Sequence, residues 1–281
     1  MTVQKSILPE QFRLTVQTAV PPAGDRQGLT EFICLLETAR QLGMYGVELN
    51  VPDLEETIPA ADLRELLAKY QLRLTYIASG IYAAKRGLAL ASADAGVREA
   101  SVEGWLANMR YAQEAGENCG VIIGTLKGSP QLAETEGAQR RLEDSLREGM
   151  VRARQEGLDV PVLLEATNHY EASAVNTVAQ AAETVKAAVS GGLFVLPDTY
   201  HMNIEEKDAF EAVRTVLPLM RNIHISDNNR YFPGFGAIDF ARWYTFLNKN
   251  GYRGTYGIEG RLIGSLCGDL EESVRFLEEV L

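Results

Sequence analysis

The 281-residue sequence predicts one α/β domain, a single (β/α)8 TIM barrel over residues 1–281. Three observations predict it. Short β-rich runs alternate with longer segments of helical period, the pattern of repeated βα units around a parallel sheet. The runs number eight, which closes a barrel. Four consecutive runs end in acidic or imidazole side chains, as strands do when they deliver side chains to one face. The same alternation fits an open doubly wound sheet, but the polar strand ends favour the closed form.

In order, the strands read as residues 12–16 (FRLTV), 46–50 (GVELN), 72–78 (LRLTYIA), 120–126 (GVIIGTL), 162–166 (VLLEA), 193–198 (LFVLPD), 222–227 (NIHISD) and 256–260 (YGIEG). Between the first two, LTEFICLLETARQLG puts Phe32, Leu35, Leu36, Ala39 and Leu42 on one face, the spacing of a helix packed on a sheet. Gly43 and Gly116 follow such segments, where a left-handed residue stops a helix, and Asp239 stands where an N-cap begins ARWYTFLNKNG. Residues 79–96 are expected to form the longest irregular stretch, a loop over the substrate pocket. No Pro/Ser-rich linker or charge block divides the chain.

Composition narrows the function. Hydrophobic residues make up 46% and charged residues 23%, enough apolar surface for a large core and no sign of disorder. Lys plus Arg total 27 against 38 Asp plus Glu, and the resulting charge of -11 opposes nucleic acid and anionic membranes as partners. No stretch reaches the roughly 20 apolar residues that span a bilayer, and MTVQKSILPEQFRLTV lacks the apolar core of an export signal. Cys34, Cys119 and Cys267 are far apart in the chain and form no C-x-x-C pair, so a reduced, cytoplasmic setting is expected.

The chemistry concentrates at the ends of the last four strands. Glu165 closes VLLE, Asp198 closes LFVLPD, His224 lies in NIHISD and Glu259 lies in YGIEG, about one βα unit apart each time. In a barrel, adjacent strands present these side chains to one point. One acid at a strand end is ordinarily a solvated loop anchor. Four on successive strands, each among apolar residues where an uncompensated charge is costly, read as ligands of one divalent metal. Three carboxylates and one imidazole suit Mn2+, Mg2+ or Co2+ in six-coordination, with Mn2+ preferred; tetrahedral structural zinc is disfavoured.

Further polar residues follow these ligands. Asn168 and Glu171 lie in EATNHYE, His201, Asn203 and Glu205 in DTYHMNIEE, and Arg230 six residues past His224. Such groups orient a small polyhydroxylated substrate. His169 reads as a surface histidine, Glu206 as the start of the next helix, and Asp227 and Asn229 as supports of the site. GFGAID, at 234–239, lacks the third glycine of a dinucleotide fingerprint and follows the seventh strand, so NAD is not implied. No G-x-S-x-G elbow, phosphate-binding G-x-x-x-x-G-K-[ST] loop or H-E-x-x-H helix is present.

With E-x-x-N-x-Y-E, then DTYHMNIEE, then H-x-x-x-x-x-R-x-x-P-G-x-G, residues 160–262 resemble the xylose-isomerase-like sugar isomerase/epimerase barrels. Within them the likeness is to the D-tagatose 3-epimerase and D-psicose (allulose) 3-epimerase group. The N-terminal half agrees in the order of its elements and in ASADAGVREASVE. The resemblance implies metal ligands at Glu165, Asp198, His224 and Glu259, catalytic acid/base groups at Glu165 and Glu259, and substrate contacts at Glu171, His201 and Arg230. Pro197 and His169 depart from the family's pattern, His169 standing where an arginine is common; these changes bear on which sugar is used and leave the ligand set intact.

The activity so implied is that of a metal-dependent isomerase, C3 epimerisation of a ketose through a cis-enediolate with two glutamates on opposite faces. One base returning the proton to the neighbouring carbon would give aldose–ketose isomerisation instead. Alternatives on the same site are a hydroxypyruvate or inosose isomerase or dehydratase, and a ketopentose-phosphate epimerase. A different class is a non-catalytic sugar- or metal-binding barrel. DNA-repair endonucleases share the barrel, but three histidines and a charge of -11 argue against one. The resemblance further implies a homo-oligomer acting on a small-molecule sugar.

Overall fold

In the computed structural model, which describes residues 8, 9, 11–130, 136–188 and 191–281, the β-rich runs form eight parallel strands. They are β1 (Arg13–Ala19), β2 (Gly46–Asn50), β3 (Arg73–Ala78), β4 (Gly120–Ile123), β5 (Val162–Glu165), β6 (Leu193–Leu196), β7 (Asn222–Ile225) and β8 (Thr255–Ile258). Their order is β6-β5-β4-β3-β2-β1-β8-β7, so β1 pairs with both β2 and β8. The circle is nearly closed. β6 meets β7 through the bridges Val195↔Met220 and Asp198↔His224, with the His224 N–H donating to Pro197 O at 2.9 Å. The seam of the barrel therefore falls on two of the residues picked out as metal ligands.

Ten helices alternate with the strands among the described residues: α1 (Arg26–Gln41), α2 (Ala60–Lys69), α3 (Gly80–Arg86), α4 (Ala95–Ala115), α5 (Ala138–Gln155), α6 (Val178–Ala188), α7 (Thr199–Glu205), α8 (Ala209–Val216), α9 (Phe240–Lys249) and α10 (Leu266–Val280). α1 buries Phe32, Leu35, Leu36 and Ala39 of the stripe its spacing predicts, and Leu42, the C-cap residue, is partly buried against the same core. Asp239 caps α9, accepting from Arg242 N at 2.9 Å. Gly43 is left-handed, with φ of 69°. Gly116 is not: it is extended, and a Cβ there would meet Cys119 Cβ at 3.0 Å. α4 does end at this glycine, but through an extended, closely packed conformation in place of a left-handed one.

Residues 79–96 also differ from expectation. α3 occupies part of the stretch, and Leu88, Ala89, Leu90 and Ala91 are buried. The backbone is pinned to the segment after β4, Leu90 N donating to Leu126 O at 3.0 Å and Ala91 N to Lys127 O at 2.9 Å. The apolar LALA run fills a packing site, and only Ser79 and Gly80 of the stretch reach the cavity at the strand ends.

Alternation along the strands divides the core into two layers. One apolar layer lies between strands and helices and includes Val16, Leu36, Val121, Val162 and Leu164. A second cluster, Tyr76, Ala78, Ile122, Leu163 and Leu196, lies on β3 to β6. Facing it, β1, β2 and β7 contribute the buried polar side chains Thr15, Glu48, Asn222 and His224. The three cysteines are free, but Cys34 and Cys267 come together where α1 meets α10, with sulfurs 3.5 Å apart. No helix among the described residues is long and apolar enough to cross a membrane. Of the N-terminal sixteen residues on which the export-signal reading rests, 1–7 and 10 lie outside the described residues.

Candidate metal centre

Four side chains meet at the C-terminal mouth of the barrel. Glu165 is the last residue of β5, Asp198 caps α7 just beyond β6, His224 lies in β7, and Glu259 follows β8 directly. One ligand atom from each lies within 4.8 Å of the others. Glu165 Oε1, His224 Nδ1 and Glu259 Oε2 are buried without a hydrogen-bond partner. His224 Nδ1 stands 2.7 Å from Glu259 Oε2 and 3.6 Å from Glu165 Oε1. The imidazole atom lies at ion-pair distance from both carboxylate oxygens, but the three make no well-aligned hydrogen bond, which is uncommon for buried polar groups. Three aimed at one point, in a set rich in hard oxygen donors, fit a divalent cation that would satisfy them together.

Glu48, in the middle of β2, is the residue that sequence reasoning missed. It is fully buried. His224 Nε2 donates to its Oε2 at 2.8 Å, and Thr15 Oγ1 and Asn222 Nδ2 donate to its Oε1 at 2.7 and 2.9 Å. Thr255 Oγ1 extends the chain by donating to Asn222 Oδ1 at 2.7 Å. A carboxylate on the far nitrogen fixes the tautomer and turns Nδ1 toward the metal position. A Cβ on Gly257 would collide with the Glu48 carboxylate, so the glycine in YGIEG makes room for this pair. Burial by itself pushes the His224 imidazole down; the carboxylates of Glu259 and Glu48 outweigh it and hold it well above its ordinary value. Burial would likewise raise Glu259, but the charges of Arg230 and His224 hold it well below the usual carboxylate range.

Asp198 divides its oxygens. Oδ1 accepts from the N–H groups of Tyr200 and His201 at 2.7 and 3.2 Å, and Oδ2 accepts from Arg230 Nη1 at 2.6 Å. Arg230 also donates to Ser226 Oγ at 2.9 Å and places Nη2 3.2 Å from Glu259 Oε2. Its φ of 67° is uncommon for a residue with a side chain, and the surrounding loop holds it there. Asp227 builds that loop by accepting from the N–H groups of Gly234, Gly236 and Ile238, while Asn229 donates to Phe235 O. Asp227 and Asn229 thus support the loop that carries Arg230.

Asn168 organises the substrate side. Its N–H and Nδ2 both donate to His201 Nδ1, at 3.3 and 2.7 Å, which leaves the proton on Nε2, 3.5 Å from Glu165 Oε1. Nδ2 also donates to Glu171 Oε1 at 3.2 Å. Glu171, His201 and Arg230 line one cavity with Glu165, His224 and Glu259, as do Gln17, Asn50, Ser79 and Thr125 from the ends of β1 to β4. Asn50 Nδ2 donates to Gln17 Oε1 at 2.8 Å. Gln17, Asn50 and Thr125 are not marked by the sequence, while Ser79 opens the stretch expected to cover the pocket. Gln17 and Asn50 lie two positions past the inward-facing Thr15 and Glu48, so strand alternation carries the signal once one inward residue is known.

Other polar residues have structural roles. His169 is exposed and its backbone N–H and ring are tied to Glu205, which joins the loop after β5 to α7. Asn203 is exposed. Glu206 does not begin α8; it accepts from Val178 N at 2.8 Å and caps α6. Lys127, unnoticed in GTLKG, is fully buried behind the site. Its Nζ donates to Gly124 O, Glu165 O and Thr167 Oγ1 at 3.2, 3.0 and 2.5 Å, and burial pushes its pKa down to about 8.

Fold and geometry together define a (β/α)8 barrel with a candidate divalent-metal site at the mouth where such barrels carry their chemistry. The chain belongs to the xylose isomerase-like TIM barrel family, whose profile matches residues 36–280. A ketose 3-epimerase from Arthrobacter globiformis is 33% identical over 152 residues, 54% of this chain and 52% of that protein. A 3-dehydro-D-guloside 4-epimerase from Escherichia coli K12 is 34% identical over 127 residues, 45% of this chain and 48% of that protein. The aligned stretches thus span about half the length of these relatives. A crystal structure of a D-allulose 3-epimerase from Methylomonas sp. in complex with D-allulose shares the fold, with a TM-score of 0.76 over 99% of this chain and 100% of that one, at 19% identity.

Proposed function

We propose that the protein is a divalent-metal-dependent sugar epimerase that inverts C3 of a ketose through a cis-enediolate. The observation that carries this reading is the convergence of ligand atoms from Glu165, Asp198, His224 and Glu259 within 4.8 Å of one another. The names of the two relatives add support, because C3 of a ketose and C4 of a 3-dehydro sugar are both carbons next to a carbonyl. A proton there is too weakly acidic for a free carboxylate to remove quickly unless the developing oxyanion is stabilised.

Glu165, Asp198, His224 and Glu259 are the residues that would hold the ion, with Mn2+ the first choice for three oxygen donors and one nitrogen. A divalent ion in this site acts as a Lewis acid on the carbonyl and carries the charge that develops on its oxygen. Glu165 and Glu259 reach the cavity from β5 and β8, one to remove the C3 proton and the other to return a proton to the opposite face. His201 donates from Nε2 to a substrate oxygen, Glu171 accepts from a substrate hydroxyl, and Arg230 keeps Asp198 and Glu259 in place while closing the cavity on one side. Gln17 and Asn50 face the sugar's remaining hydroxyls.

The test is product analysis. Purified protein with Mn2+ is incubated with free ketopentoses and ketohexoses and the sugars are separated. A C3 epimer is expected. An aldose as sole product would replace epimerisation by isomerisation at the same site, and no product from any free or phosphorylated ketose would remove the proposal.

A further inference from the structure

At the other end of the barrel, where the strands begin, a cavity of about 400 Å³ is lined by Arg13, Arg73, Arg221 and Arg253. Arg13 and Arg73 open β1 and β3, and Arg221 and Arg253 come just before β7 and β8. Each guanidinium is held by a neutral group. Arg13 and Arg73 lie over the ring of Tyr45, at 5.5 and 5.1 Å from its centroid, and Arg221 lies over Phe194 at 4.6 Å. Arg13 Nη1 donates to Arg253 O at 3.1 Å, and Arg253 Nη1 donates to Tyr252 O at 2.7 Å.

None of these four has a carboxylate at ion-pair distance among the described residues, whereas Arg86, Arg110, Arg147, Arg152 and Arg214 each have one. Acids are not scarce in a chain with 38 of them against 27 basic residues. Glu117 is the only acid among the described residues lining the cavity. The four arginines are exposed, so their mutual repulsion is screened, but together they give the hollow a positive potential that attracts an anion. Guanidiniums already oriented by aromatic faces and backbone carbonyls can bind phosphate oxygens in pairs at little ordering cost.

We propose that this cavity is a binding site for a small phosphorylated metabolite carrying at least two negative charges. Its volume falls in the range of small-molecule sites. A long polyanion fits less well, because the net charge of -11 repels whatever extends beyond the arginines.

The test uses the full chain, stripped of divalent metal so that the acidic mouth cannot recruit anions. Pyrophosphate and a hexose bisphosphate are titrated calorimetrically at low salt into the wild type and into Arg73→Gln, Arg253→Gln and Arg230→Gln. All three arginines are replaced by an uncharged hydrogen-bonding residue, and melting curves check that each variant folds. Saturable binding of either anion is expected, weakened about tenfold or more by Arg73→Gln and by Arg253→Gln, unchanged by Arg230→Gln, and falling as salt rises. No saturable binding to the wild type, or binding that survives both cavity substitutions, overturns the proposal. So does a wild type that binds no anion while the cavity substitutions change its sedimentation, since the arginines would then face a second copy of the chain.

Discussion

Glu48 shows what one buried carboxylate can decide. It holds His224 through Nε2, so the direction of Nδ1 and the charge available to a bound cation both depend on it. Glu48→Gln, which keeps the shape and removes the charge, is expected to weaken metal binding about 10- to 100-fold. Calorimetric titration with Mn2+ checks this, and wild-type affinity would remove Glu48 from the site. Glu165→Gln and Glu259→Gln are each expected to lower turnover by about a thousandfold, in the range for loss of a general acid or base. Circular dichroism would show the fold intact in both, and normal turnover by either variant would exclude that residue as an acid/base group. Residues of this kind differed in how legible they were. Glu165, Asp198, His224 and Glu259 could be read because ligand types ended four successive strands. Glu48 and Lys127 could not, because a lone charge inside GVELN or GTLKG has no visible partner until the strands are assembled.

Between residue and barrel, the ends of β4 and β5 behave as one unit. Lys127 ties Gly124 O to Glu165 O, and a Cβ on Gly124 would meet Glu165 Oε2 at 2.5 Å, so backbone and carboxylate are in direct register. This explains why the predicted strand 120–126 ends early: after Ile123 the chain turns through Gly124 into a short 3-10 turn, although Leu126 continues the apolar pattern. The stretch 79–96 was misread for a related reason. Its glycines and small residues look like loop in sequence, and only the assembled packing shows Leu88 to Ala91 filling space beside that same turn. The clamp has a pH signature. Lys127 falls from an ordinary 10.5 to about 8 when buried, so between those values the unfolded chain binds the extra proton and stability rises with pH. From pH 8 to 10.5 the wild type should gain about 3 kcal/mol relative to Lys127→Met. Urea denaturation of both proteins at the two pH values measures the difference; a pH-independent difference would mean that Lys127 is not depressed in the fold.

At the scale of the whole barrel, the site and the closure of the sheet coincide. β6 and β7 share bridges in place of a full ladder, and one of those bridges joins Asp198 to His224. A cation held by Glu165, Asp198, His224 and Glu259 would link the ends of four successive strands, β5 to β8, across that seam. Metal binding at about 100 times its dissociation constant should therefore stabilise the fold by about 2.7 kcal/mol. Melting with and without Mn2+ measures it, and an unchanged midpoint in the presence of bound metal would contradict the link. The barrel itself was largely legible, since eight β-rich runs separated by amphipathic segments leave few other closures. The far face was not. Arg13, Arg73, Arg221 and Arg253 are scattered over 240 residues and meet only because strand starts gather at one end.

The most direct measurement is metal-dependent exchange of the substrate proton with solvent. The protein is incubated in D2O with free ketoses, with Mn2+ and after chelation, and deuterium at C3 and C1 is followed by NMR. Deuterium at C3 together with a new epimer, only when metal is present and not with Glu165→Gln, is the predicted result. Bound Mn2+ without exchange at C3 in any ketose, or exchange that continues unchanged after chelation, would contradict metal-dependent epimerisation at this site.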